Sequence, residues 1–241
     1  MSKIVFAGKS DGDEQWISVS DLMAGLMMVF LFIAVIYAKD ADSRAKNVTE
    51  IVTEWQDSEL EIYKALEREF KNDLPKWNAE IDRDSLTIRF LSPEILFKSG
   101  KADLSNKFKV VLDDFMPRYI DLLISKFDTK IDEVRIEGHT SSEWSQSASN
   151  EESFIKNMQL SQARTRTVLE YSINMSANQN FTPWMIKKVG AHGLSSARLI
   201  LSNGVEDKKR SRRVEFTIKT KTKEAMFKIL DRVSPAVDKG F

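Results

Sequence analysis

The chain has 241 residues, with 36 basic side chains balanced by 36 acidic ones, 42% hydrophobic residues and no cysteine. That length supplies one or two domains with cores of their own. The lack of cysteine excludes a disulfide framework, a thiolate metal site and a lipidated-cysteine anchor, and the neutral balance excludes a global pull toward nucleic acid or acidic lipid.

Residues 1–15 form a short polar N-terminal tail. From Trp16 to Tyr37 the chain runs 22 residues with one formal charge, Asp21. At about 1.5 Å per residue this is a helix of roughly 33 Å, enough to cross a hydrocarbon core of about 30 Å. A cleaved secretory signal is disfavoured, because its apolar region is usually about 7–15 residues and ends at a small-residue cleavage site. Here Lys39, Asp40 and Asp42 follow instead, and the tail mixes Lys3 and Lys9 with Asp11, Asp13 and Glu14. Residues 16–38 are therefore expected to be a retained single span. The distribution of Lys39, Arg44 and Lys46 against the two N-terminal lysines leaves its orientation open.

An acid within such a helix costs about 2.5–3.5 kcal/mol on insertion scales, so Asp21 is the residue to explain. Helical spacing puts Ser18, Asp21, Gly25, Met28 and Phe32 on one face, and the small residues Ala24 and Gly25 let a neighbouring helix approach closely. Facing a protein partner or a wet cavity, the carboxyl can take up and release a proton. The alternative is an interfacial Asp that caps the helix start. Trp16, a more natural interface residue, lies five positions earlier.

Residues 39–80 are highly charged, with Val48, Val52, Trp55, Ile62, Leu66 and Phe70 at helical spacings. This predicts an amphipathic linker helix, either a solvated spacer or a self-associating segment, ended by Pro75. Residues 81–222 have the pattern of a compact α+β domain. Leu86, Ile88 and Phe90 alternate with polar residues as a half-buried strand. Phe108 through Leu123 follow helical spacing, with Pro117 expected to kink or break that helix. Val134 to Glu137 alternate again and run into Gly138-His139-Thr140. Residues 154–175 are helical, and Val214, Phe216 and Ile218 mark a final strand. A short closing helix over 223–231 is expected within the terminal segment 223–241.

Two sets of motifs resemble known families. Trp16-x-x-x-Ser20-Asp21-Leu22-Met23, continued by Leu26-Met27 and Phe30-Leu31, resembles the transmembrane helix of MotB-type stator subunits. The resemblance implies that Asp21 carries the transported ion, H+ with Na+ not excluded, on a channel face that includes Ser18, Ser20, Gly25 and Met28. It implies a homodimer inside a ring of multi-span MotA- or ZorA-like A subunits in the bacterial inner membrane. The N-terminus would be cytoplasmic and the globular domain periplasmic.

The second set is Ile136-Glu137-Gly138-His139-Thr140, Asn157 to Val168, Gly190-x-x-Gly193 and Ser211 to Phe216. In order and spacing these resemble the OmpA-type peptidoglycan-binding module, which implies a βαβαβ domain with a mixed sheet. Asn157, Leu160 and Arg164 share one helix face. In the family's terms Arg164 holds the carboxylate of a stem-peptide diaminopimelate through paired hydrogen bonds, Asn157 supplies amide hydrogen bonds, and Leu160 packs beneath. Ser141 and Arg213 are further candidates. Ser141 departs from the family pattern, which carries there an Asp that commonly contacts the ligand's ammonium group. Glu143, Glu151 or Glu152 could replace it, or the ammonium could go unread.

Together, the acid-bearing span and the wall-binding module most resemble the B subunits of Zorya anti-phage systems. That implies signalling, through a partner ring, to cytoplasmic defence effectors. A flagellar stator subunit and a passive peptidoglycan tether stand as the alternatives. No phosphate loop or nucleophile elbow points to an enzyme, and no ligand spacing surrounds His139 or His192. No cofactor, metal or direct nucleic-acid contact is expected, and the basic run Lys208–Arg213 reads as a solvated loop leading into the last motif.

Overall fold

A computed structural model describes residues 11–91, 93–98, 100–145, 147–221 and 227. Residues 1–10 and, Phe227 apart, the closing helix expected over 223–231 lie outside the described residues. The chain divides into two compact units, residues 11–52 falling in one and Thr53–Ala225 forming the other.

The first unit is helical. Helix α1 (Asp11–Phe70) starts inside the stretch expected as tail. Among the described residues it is the one helix long and apolar enough to cross a membrane. Leu22, Met23, Leu26, Phe30, Phe32, Ile36 and Tyr37 all stand exposed along it. A helix that is apolar all round needs lipid or other helices as its surroundings.

The second unit begins with the last turns of α1. Ile62, Leu66 and Phe70, four residues apart, are fully buried. Residues 53–80, expected as linker, therefore belong to the globular unit. Arg118 secures this helix end: its Nε donates to Glu69 Oε1 at 2.8 Å, its Nη2 to the Glu69 carbonyl at 2.9 Å and its Nη1 to Asp73 at 3.1 Å. Pro75 does not end the long helix, which has already stopped at Phe70. It sits in the first turn of α2 (Leu74–Trp77), where its missing N–H would have no partner anyway. Asn78 takes the left-handed conformation, with φ of 50°, and turns the chain into β1 (Ala79–Asp82).

There follow β2 (Thr87–Phe90), α3 (Pro93–Leu96) and α4 (Asn106–Phe127), the last capped by Ser105, whose side chain accepts from the Phe108 amide. Pro117 lies inside α4 without ending it. Buried Met116, Tyr119 and Ile120 flank it, and their packing outweighs the local cost of the ring. Next come β3 (Ile131–His139), α5 (Asn150–Asn174), a 3-10 turn over Ser176–Phe181, α6 (Thr182–Lys188) and β4 (Val189–Gly193). A two-residue hairpin, β5 (Leu201–Ser202) and β6 (Val205–Glu206), leads through α7 (Lys208–Ser211) to β7 (Arg213–Thr220).

The five-stranded sheet has the order β1-β2-β7-β3-β4. All neighbours are antiparallel except β3 and β4, which makes it mixed, as expected of the α+β class. Ile88, Phe90, Val134, Ile136, Val214, Phe216 and Ile218 give the sheet its apolar face, all of them buried. The core is centred on Phe115 of α4, whose ring centroid lies 5.2 Å from Phe70, 5.1 Å from Phe90, 4.9 Å from Tyr119 and 5.0 Å from Phe216.

Candidate functional site

The C-terminal ends of β3 and β4 both press against α5, and two glycines make that approach possible. A Cβ at Gly138 would lie 2.9 Å from the Ser161 carbonyl oxygen, and one at Gly193 would lie 2.4 Å from the Gln162 amide nitrogen. Backbone cannot retreat from such contacts, so glycine is required at both positions. The seam is closed by the Ser195 amide donating to Ser161 Oγ at 3.1 Å and the Thr140 amide donating to the Ser195 carbonyl at 2.9 Å. This brings the end of β3, the face of α5 carrying Asn157, Ser161 and Arg164, and the loop after α3 into one site.

Arg164 is buried on that face, with its Nε donating to the Lys101 carbonyl at 3.0 Å and its guanidinium 4.8 Å from the Phe97 ring centroid. Among the described residues no carboxylate pairs with it. Burial, with the charge of nearby Arg212 acting in the same sense, pushes its pKa down to about 10. It remains a cation at neutral pH. A buried guanidinium without an acid partner is a site for an anion.

Asn157 is also buried, and its amide nitrogen is committed: Nδ2 donates to the carbonyls of Ser141 at 3.2 Å and Glu143 at 3.1 Å. Expected to supply amide hydrogen bonds to a ligand, it uses Nδ2 here to hold the loop after β3 in place. Leu160 is half-buried, and Ser141 is buried at the loop's start. Arg213, the other candidate, is locked internally. Its Nε meets Glu215 Oε1 at 2.6 Å, and its Nη1 donates to the carbonyls of Arg198 and Ser211. Arg212 is the exposed member of that pair.

Three contributors to this site carried no motif. The Lys101 carbonyl and the Phe97 ring come from a loop whose role depends on tertiary packing. Glu206 anchors the loop after β3 by accepting from the Ser142 amide at 3.0 Å and from its hydroxyl at 2.5 Å. Its hairpin had a readable signal in Asn203-Gly204, both at positive φ (51° and 80°) as a two-residue turn requires.

The polar face of the sheet holds a second cluster. His139 Nε2 lies 3.3 Å from Glu215 and 3.8 Å from Glu137, and neither ring nitrogen makes a hydrogen bond. The three side chains offer ligand atoms within 4.8 Å of one another. Their carboxylates are already compensated, however. Arg89 and Arg213 both contact Glu215, and Arg198 contacts Glu137. Adding a divalent ion would set it against those guanidinium groups, so the cluster is read as structural. Burial works against charge at Glu215, yet its contacts with His139 and Arg213 hold its carboxyl well below the usual range. Burial lowers the pKa of His139 despite its acidic neighbours. Part of the basic run is likewise compensated: Lys208 pairs with Glu143, and Arg210 lies 3.3 Å from Glu80.

In the other unit Asp21 stands exposed on α1, with Ser20, Gly25 and Met28 also exposed and open space around Gly25. Ser18 lies in α1, and its side chain is outside the described part.

The chain resembles known proteins in sequence and in fold. A sequence model of the OmpA family matches residues 96–213. The chain is 43% identical to the Zorya protein ZorB of Escherichia coli over 223 residues, covering 92% of this chain and 94% of that protein. The crystal structure of a MotB-like protein from Desulfovibrio vulgaris shares the fold. It has a TM-score of 0.51 at 22% identity, and the match covers 70% of this chain and 98% of that one.

Proposed function

Because the chain belongs to the ZorB family of Zorya proteins, we propose that this stator-like B subunit is the wall-anchored, stationary half of a proton-driven motor used in anti-phage defence. Asp21 carries the reading. It is the single charge in 22 otherwise uncharged residues, and a helix serving only as an anchor gains nothing from an acid that is costly to insert. Two copies of the chain would stand inside a ring of multi-span A subunits in the inner membrane, N-terminus in the cytoplasm and the Thr53–Ala225 unit in the periplasm. Each Asp21 would accept a proton from one side and release it to the other, with Ser20, Gly25 and Met28 giving the partner helices room to pass.

The Arg164 pocket supplies the anchoring. Its unpaired guanidinium suits the free carboxylate of a peptidoglycan stem, with Phe97 and Lys101 fixing the plane of the fork and Asn157 holding the loop beside it. A domain gripping the wall keeps the B subunits from turning with the ring, so proton flow rotates the A subunits and their cytoplasmic parts signal to effectors.

The test is Asp21→Asn, which keeps size and polarity and removes titration. Co-expressed with its A-subunit partner, the variant is expected to co-purify normally and to lose all protection of cells against phage. Full protection by the variant would reduce the chain to a passive tether.

A further inference from the structure

The charges around Arg164 define which form of a wall peptide the pocket accepts, an inference that rests on the peptidoglycan reading above. Arg164 and Arg212 place two positive charges at the site, and among the described residues neither is paired with a carboxylate. The acids of the loop after β3 and of the start of α5 are engaged, and Asp103, two residues past Lys101, is not among the charges that act on Arg164. Glu143 pairs with Lys208, Glu206 accepts from Ser142, Glu152 lies 3.7 Å from Lys156, and Glu151 is stabilised at the start of α5 by its amide and Ser149. Position 141 is a serine whose carbonyl is already taken by Asn157. Beside it the Thr140 hydroxyl is buried with no hydrogen-bond partner.

A free diaminopimelate end presents an ammonium and a carboxylate on the same carbon. The carboxylate fits Arg164. The ammonium would then lie beside two guanidinium groups with none of those engaged acids free to receive it, a like-charge contact in partly desolvated surroundings. When stems cross-link, that amine is acylated while the carboxylate on the same carbon stays free. Acylation removes the repelled charge and leaves a neutral amide. We propose that the Arg164 pocket selects the carboxylate of an acylated, cross-linked diaminopimelate over the free zwitterionic end, with Ser141 as the specificity-determining position.

The experiment uses the full chain purified in detergent. Its affinity is measured for two soluble muropeptides that differ only in acetylation of the diaminopimelate side-chain amine, with sedimentation on intact sacculi alongside. The expected result is at least about twofold tighter binding of the acetylated form, larger at low salt. A smaller difference, or a preference for the free amine, overturns the proposal. A Ser141→Asp variant is expected to shift the preference about tenfold toward the free amine, since it restores a charge-assisted partner for the ammonium; no shift also overturns it. Sacculi bound without either muropeptide would refute this specificity while leaving the wall-anchoring reading intact. Failure of the wild-type chain to sediment with sacculi would refute the anchoring reading itself.

Discussion

Replacing Arg164 with alanine separates recognition from stability, because its internal contacts are few and the proposed contact with a wall carboxylate would be strong. Inside the domain it makes one hydrogen bond, to the Lys101 carbonyl, and lies over the Phe97 ring. Losing both costs about 1–2 kcal/mol, partly offset by relieving a buried cation near Arg212. For a domain of this size that lowers Tm by about 2–8 °C. A bidentate, charge-assisted bond to a ligand carboxylate contributes about 1.5–3 kcal/mol, which is a tenfold to hundredfold loss of affinity at about 1.4 kcal/mol per decade. Arg164→Lys keeps the charge without the planar fork and should fall between wild type and alanine. The assay is sedimentation of the full-length variants with purified sacculi, paired with calorimetric unfolding. Burial lowers the pKa of Arg164, yet a guanidinium keeps its proton through neutral pH, so binding should be flat across the neutral range. Undiminished sacculus binding by a well-folded Arg164→Ala variant would refute the assignment of this pocket.

Leu66→Ala should destabilise the Thr53–Ala225 unit by about 2–5 kcal/mol in denaturant unfolding, because Leu66 is fully buried, whereas a residue of a solvated spacer would cost almost nothing. Gly193→Ala forces a Cβ to within 2.4 Å of the Gln162 amide and should cost about 3 kcal/mol while also weakening sacculus binding, since it pries β4 from the helix that carries Arg164. The pH dependence of stability follows from His139 and Glu215, both depressed in the folded domain. Protons bind more readily to the unfolded chain in each case. The stability is thus fully present above His139's ordinary pKa of 6.5 and is lost as pH falls, first through His139 and then below 4.5 through Glu215. Thermal melts across this range should show the loss beginning near neutrality, and His139→Gln should remove its upper part.

Much of the fold was legible because the hydrophobic pattern and the secondary-structure period coincide. The alternation of Val214, Phe216 and Ile218 and the helical spacing of Phe108 to Leu123 each became the element expected. The exceptions arise where tertiary packing overrides local rules. Pro117 stays inside α4 because its neighbours are buried in an aromatic core that no local rule weighs. The spacing of Ile62, Leu66 and Phe70 showed an apolar stripe without showing what would cover it, and the cover is the domain itself. At the site, Arg164 was findable through the motif that resembles the OmpA-type module; a helical register alone would not have singled it out. The hydrogen bonds that occupy Asn157 and Arg213 were not, since both depend on loops returning from distant parts of the chain. The same distance hid Glu206, whose bond to Ser142 spans 64 positions.

The central claim, that an acid in the membrane span carries protons for a wall-anchored subunit, meets its most direct test in proteoliposomes. The chain is reconstituted with its A-subunit partner, and proton uptake is followed with an interior pH dye under an imposed membrane potential. The wild-type complex is expected to acidify the lumen, and the Asp21→Asn complex, reconstituted to the same density, is expected to match empty vesicles. Equal proton uptake by the two complexes would contradict the account.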